Sequence, residues 1–302
     1  MFLTQVKKFP KKEWWRYALG FVIIALSYGL GQIPLILAWI EKIGLEGMQN
    51  TPQRDLIRIL DDNSTLFFSL LIFVFVLFGI LIVLQIHSQS FKQLVTGRNS
   101  ISWKRILFSF LLLTVFIVIS TIIDYVMNPQ DFVWNFQLQP FIILLAIAVV
   151  LLPIQTSVEE FVFRGYLMQG LASVTNTRWV PLIFSALIFG AMHFSNPEVD
   201  ELGIYAKVFY IGTGLFLGIL TLMDDGMELA LGFHAANNLI TALLVTANYT
   251  VIQTPAILKY TVKPEPGLSV IVPLLVLYPV LLFIFAKKYK WTNWKGRLLG
   301  YL

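Results

Sequence analysis

From Phe141 to Leu171 the chain is as apolar as a membrane span, yet it carries two adjacent carboxylates, Glu159 and Glu160, and a guanidinium, Arg164. A charged side chain at the centre of a bilayer costs roughly 2.5 to 3.5 kcal/mol on insertion scales. A segment holding three of them must find polar partners inside the protein, so it is expected to pack within a bundle of helices. The three charges read either as an ion pair that locks two helices or as the centre of a functional site.

The rest of the sequence agrees with a bilayer as the solvent. Of 302 residues, 57% are hydrophobic and 13% charged, against about 25% charged in a soluble domain. Apolar runs near the ~20 residues that span a bilayer occur at 17–40, 65–86, 106–127, 141–171, 179–196, 203–223, 229–247 and 268–286. The fold class expected is all-α, a polytopic membrane protein of about eight transmembrane helices. The first run follows Lys7, Lys8, Lys11, Lys12 and Arg16, but it is long for a signal peptide and no small-residue cleavage site follows it. It reads as a retained helix. No cysteine occurs, which removes disulfides and thiolate metal sites from the argument.

Fifteen Lys and Arg residues fall on one side of this arrangement: the five above, Lys92, Arg98, Lys104, Arg105, Arg178, and Lys287, Lys288, Lys290, Lys295 and Arg297. Lys42, Arg54, Arg58, Lys259 and Lys263 fall on the other. The positive-inside rule makes both termini cytoplasmic, in the cell (inner) membrane. The net charge of +5 then reflects topology and anionic lipid, with no nucleic acid implied. Trp14, Trp15, Tyr289, Trp291 and Trp294 beside cations read as headgroup anchors. The 87–105 loop reads equally as an amphipathic surface segment or a plain connection. His87 reads as interfacial, and Asp124 as solvated at a helix end.

Three polar constellations lie in the spans. In SVEEFVFRG, residues 157 to 165, side chains four apart share a helix face, so Glu160 is placed to pair with Arg164 while Glu159 points elsewhere. In FGAMH, Phe189 lies one turn from His193; in HAANN, His234 and Asn238 share a face and Asn237 points away. A histidine in a membrane helix is commonly an interhelical hydrogen-bond partner. Counting about 1.5 Å per residue from the cytoplasmic ends, however, puts Glu159 and His193 at roughly 18 and 21 Å and Asn238 at about 14 Å. The three helices can converge on one buried polar pocket.

In that order these motifs resemble the Glu-Glu-x3-Arg, Phe-x3-His and His-x3-Asn motifs of the type II CAAX prenyl endopeptidase and bacteriocin-processing (CPBP) family. The resemblance covers about 140 to 245; the remainder matches only in having hydrophobic helices. The chain thus divides into N-terminal helices (1–140), a core (141–247), and a last helix with a basic tail (248–302). The resemblance implies an intramembrane endopeptidase acting on a membrane-associated peptide or protein, prenylated or bearing a leader. It implies Glu159 as the base that activates water, assisted by His193, with His234 and Asn238 stabilising the oxyanion. Glu160 and Arg164 would support them.

No cofactor is demanded. Zinc, if present, would draw on Glu159, His193 and His234, whose donor types suit it, although the HExxH spacing is missing. Two other classes place polar groups at this depth. One is a non-catalytic scaffold or bacteriocin immunity protein, with the motifs kept as structure. The other is a proton-coupled transporter, for which Pro153 has no mirrored partner in the other half.

Overall fold

The computed structural model describes residues 2–302, apart from the side chains of residues 53 and 54. Among the described residues, six helical segments are long and apolar enough to cross a membrane. They are α1 (Trp14–Asn50), α2 (Asp62–His87), α3 (Trp103–Met127), the composite Leu138–Thr175, α7 (Ile204–Asp224) and the segment Leu268–Tyr289. The composite consists of α4 (Leu138–Glu160), a π-helical stretch Phe161–Leu167 and α5 (Met168–Thr175). The two remaining runs form shorter helices, α6 (Trp179–Met192) and α8 (Glu228–Leu244). At 14 and 17 residues they are about 21 and 26 Å long, less than the roughly 30 Å hydrocarbon thickness. The short helices are those bearing FGAMH, at the end of α6, and HAANN, in the middle of α8. The chain is an all-α multi-pass integral membrane protein.

Lipid contact is legible in the side chains. On α1, Val22, Leu26, Leu30, Ile33 and Leu37 are all exposed, and on α3 so are Leu107, Leu111, Val115, Ile119, Ile122 and Val126. Three- and four-residue spacing gathers each set on one helix face. A soluble protein would bury such stripes; here they face outward, as acyl chains allow.

Inside, α1 packs on α2, α2 on α4, α4 on α8 and α8 on α3, while α7 joins α6 to α8. Small residues set the close approaches. A Cβ on Gly232 of α8 would collide with the Ile106 carbonyl of α3, and one on Gly214 of α7 would sit 2.9 Å from the Ala186 carbonyl of α6. The GxxxG spacing of Gly214 and Gly218 is therefore used within the chain, against Ala186 and Leu182.

One end of the bundle gathers both the first and last residues. The 3-10 turn Leu3–Lys8 buries Leu3 and Val6, Thr177 pairs with Tyr301, and Arg297 donates to the Met223 carbonyl at 3.0 Å. The 87–105 loop belongs to this end and is more than a plain connection, with Phe91 and Trp103 exposed at its surface. It holds a short helix, Phe91–Val95, with a Ser90–Gln93 capping box, and Leu94 and Val95 are buried, Leu94 beneath Gly165. Arg98 then pairs with Asp224 and Glu228 at 2.8 Å each, and Arg105 also reaches Asp224. His87 corrects the interfacial expectation: it is fully buried, with Nδ1 2.8 Å from the Lys11 carbonyl and Nε2 2.9 Å from the Tyr166 hydroxyl. Helix α2 ends at His87 in the interior because the N-terminal residues fold over it. Asp124 is met by the Asn128 amide at an exposed helix end, as expected.

The opposite end carries a small sheet that the apolar pattern does not announce. Strands β1 (Phe132–Trp134), β2 (Val245–Ala247) and β3 (Leu258–Tyr260) lie in the order β1-β3-β2, with β1 antiparallel and β2 parallel to β3. Pairing Val245 with Leu258 fixes the end of α8, six residues beyond Leu239.

Candidate active site

The site is built around the break at the end of α4. Pro153 lies within that helix and offers no backbone N–H to it. A π-helical stretch begins directly after Glu160; such insertions frequently occur at functional sites. Across this wider turn, Arg164 Nη1 meets Glu160 Oε1 at 3.0 Å, both side chains being fully buried. Its Nη2 donates to the Gly214 carbonyl at 3.1 Å. The guanidinium carbon lies 4.2 Å from the Phe189 ring centroid.

His234 joins the two glutamates. Its Nδ1 is 2.9 Å from Glu160 Oε1, and its Nε2 is 3.6 Å from Glu159 Oε2. Because a carboxylate only accepts, Nδ1 carries the proton and Nε2 is left for Glu159 or for whatever lies between them. Glu159 Oε2 is buried and makes no hydrogen bond among the described residues. Its other oxygen accepts from Gln155 Nε2, and Gln155 Oε1 accepts from Asn238 Nδ2 at 3.0 Å.

His193 enters through rings. It follows the last residue of α6, and its Nδ1 donates to the Phe189 carbonyl at 2.8 Å. That bond leaves Nε2 as the free nitrogen. Phe189 lies between the two imidazoles, 4.7 Å from His193 and 6.0 Å from His234 by centroid. The His193 ring also stacks on Tyr210 at 4.5 Å. Tyr210 in turn donates to Glu198, and Asn196 donates to Tyr210 at 3.2 Å.

The structure thus brings Glu160, Arg164 and His234 into one hydrogen-bonded group and Glu159 and Asn238, through Gln155, into another, the two meeting where His234 Nε2 approaches Glu159 Oε2 at 3.6 Å. His193 adjoins them through Phe189, and none of its described hydrogen bonds goes to a carboxylate. Sequence reasoning missed Gln155, Tyr210 and Glu198. Gln155 was findable, since it lies four residues before Glu159 on the same face; Tyr210 and Glu198 depend on tertiary packing. The zinc donor set does not assemble: among the described residues no three His, Asp or Glu side chains are grouped as metal ligands. His234 Nδ1 is already engaged by Glu160. No chemical step is therefore derived through a metal.

The family described as type II CAAX prenyl endopeptidase Rce1-like matches residues 137–240, the segment holding all of these motif residues. Over 240 residues the chain is 31% identical to Uncharacterized protein YyaK of Bacillus subtilis (strain 168), covering 78% of this chain and 80% of that protein. The chain belongs to the type II CAAX prenyl endopeptidase Rce1-like family. No solved structure matches it. Membership of the Rce1-like family makes this a multi-pass membrane protein of a protease family, and the match extends over the short helices α6 and most of α8.

Proposed function

We propose that the chain is an intramembrane endopeptidase of glutamate type, hydrolysing a peptide bond in a membrane-associated peptide that is prenylated or carries a leader. The observation that carries this reading is the isolation of Glu159 Oε2, a buried carboxylate oxygen 3.6 Å from an imidazole nitrogen and free of hydrogen bonds within the described residues. The two atoms are close enough for one water beside the pair to hydrogen-bond both.

In this mechanism Glu159 Oε2 takes a proton from water as the oxygen attacks the substrate carbonyl carbon, with His193 Nε2 helping to hold the water. The carbonyl oxygen becomes an oxyanion, met by the second N–H of Asn238 and by His234 Nε2–H when that ring is protonated. As the tetrahedral intermediate collapses, Glu159 gives its proton to the leaving amine. Arg164 balances the charge of Glu160 and takes no part in bond making.

The termini are read as cytoplasmic from the distribution of Lys and Arg. Membrane lipid and the substrate peptide are the partners this implies.

The test is cleavage of fluorogenic peptides, prenylated and not, by detergent-purified wild type, Glu159→Gln and His193→Ala of matched thermal stability. Cleavage by the wild type and not by either variant supports the reading. Cleavage by Glu159→Gln at the wild-type rate overturns it.

A further inference from the structure

Gln155 is not among the motif residues, yet its side chain hydrogen-bonds both Glu159 and Asn238. It is buried, 6% exposed, and sits on α4 one turn before Glu159. The side-chain amides of Gln155, Asn238 and Asn237 then form a continuous series of hydrogen bonds. Glu159 accepts from Gln155; Gln155 Oε1 accepts from Asn238 Nδ2 at 3.0 Å; Asn238 Oδ1 accepts from Asn237 Nδ2 at 3.0 Å.

The direction of that series has a physical cause. An ionised carboxylate has no proton to give, so the Gln155 amide must turn its NH2 toward Glu159. Its carbonyl then faces Asn238, which must answer with its own NH2. That leaves the Asn238 carbonyl for Asn237. The charge on Glu159 therefore sets the orientation of an amide on another helix. One N–H of Asn238 is spent on Gln155, and the second remains for a substrate oxygen.

We infer that Gln155 is a positioning residue which couples the base to the oxyanion donor, holding Asn238 with its free N–H toward the reacting carbonyl while reserving Glu159 Oε2 for water. This rests on the endopeptidase reading above and adds a residue to it. Asn237, exposed at the far end of the series, closes it by donating to the Asn238 carbonyl and so helps hold the orientation that Glu159 imposes. An oxyanion donor contributes only when it is aimed before the charge develops. Loss of Gln155 should therefore act on the chemical step rather than on substrate binding.

The experiment compares steady-state cleavage by full-length wild type, Gln155→Met, Asn238→Ala, the double variant and Asn237→Ala, using the most rapidly cleaved peptide of the panel. The result expected for Gln155→Met is a fall in kcat of at least about tenfold with KM within about twofold. In the double variant the combined loss should fall short of the product of the single losses by about fivefold or more. Strictly multiplicative losses, or a raised KM with kcat intact, overturn the proposal. Should Gln155→Met fail to fold, Asn237→Ala decides: a fall in kcat of about threefold or more at unchanged thermal stability supports the series, and an unchanged kcat overturns it. A wild type that cleaves nothing overturns the protease reading itself, and so is distinct from a failure confined to the variants.

Discussion

The imidazole of His234 lies 2.9 Å from Glu160 through Nδ1 and turns its other nitrogen toward Glu159. Two adjacent glutamates thereby acquire different tasks. Glu160 Oε1 is shared by His234 and Arg164, whereas Glu159 Oε1 accepts from the Gln155 amide and its Oε2 faces the His234 ring; each glutamate leaves its Oε2 without a hydrogen bond among the described residues.

The Glu160–Arg164 pair should behave as a structural element. Removing one member of a buried pair leaves the other uncompensated and costs about 3–5 kcal/mol. Arg164→Met is expected to lower the thermal unfolding midpoint in detergent markedly. Glu160→Gln combined with Arg164→Met should be more stable than Arg164→Met alone, since no lone charge is left. Equal stability of the two would show that the pair is not coupled.

His87 offers a test of the packed N-terminal end. Both ring nitrogens are bonded in the interior, and leaving buried groups unsatisfied costs about 1–3 kcal/mol each. His87→Ala should therefore destabilise the protein measurably while leaving the cleavage site untouched. An unchanged unfolding midpoint would return His87 to the membrane interface.

Asn238→Ala should lower kcat by about 10²–10³-fold, the range for loss of one oxyanion donor. KM should change little, because the bond is made mainly in the transition state. A variant that loses affinity at unchanged kcat would place Asn238 in substrate binding.

Because the chain contains no cysteine, orientation can be mapped without removing native thiols. Lys8→Cys and Lys290→Cys should react with an impermeant thiol reagent only from the cytoplasmic side, and Lys263→Cys only from the other. Labelling of Lys8→Cys from outside would reverse the orientation drawn from the charge distribution.

The spans and the motif residues were legible because each rests on a local pattern. Apolar length located α1, α2 and α3, and the i, i+4 rule paired Glu160 with Arg164 across the π-helical turn. Features set by distant parts of the chain were not. Nothing near His87 in sequence reveals that the Lys11 carbonyl covers it, and nothing near Leu94 reveals the socket under Gly165. The strands are three residues each, too short for alternation to register. In the site, the resemblance implied for His234 an oxyanion role, and its donor type a zinc ligand's should metal be present; its bridge between the glutamates requires α8 to pack on α4.

The most direct test of the account is the Glu159→Gln variant, which keeps the shape of the side chain and removes the base. Purified beside wild type, with unfolding midpoints matched, it should fold normally and cleave the peptide panel at least about 10³-fold more slowly, a loss in keeping with removal of an essential base. Turnover at the wild-type rate would contradict the assignment of Glu159 and return the buried cluster to a purely structural role.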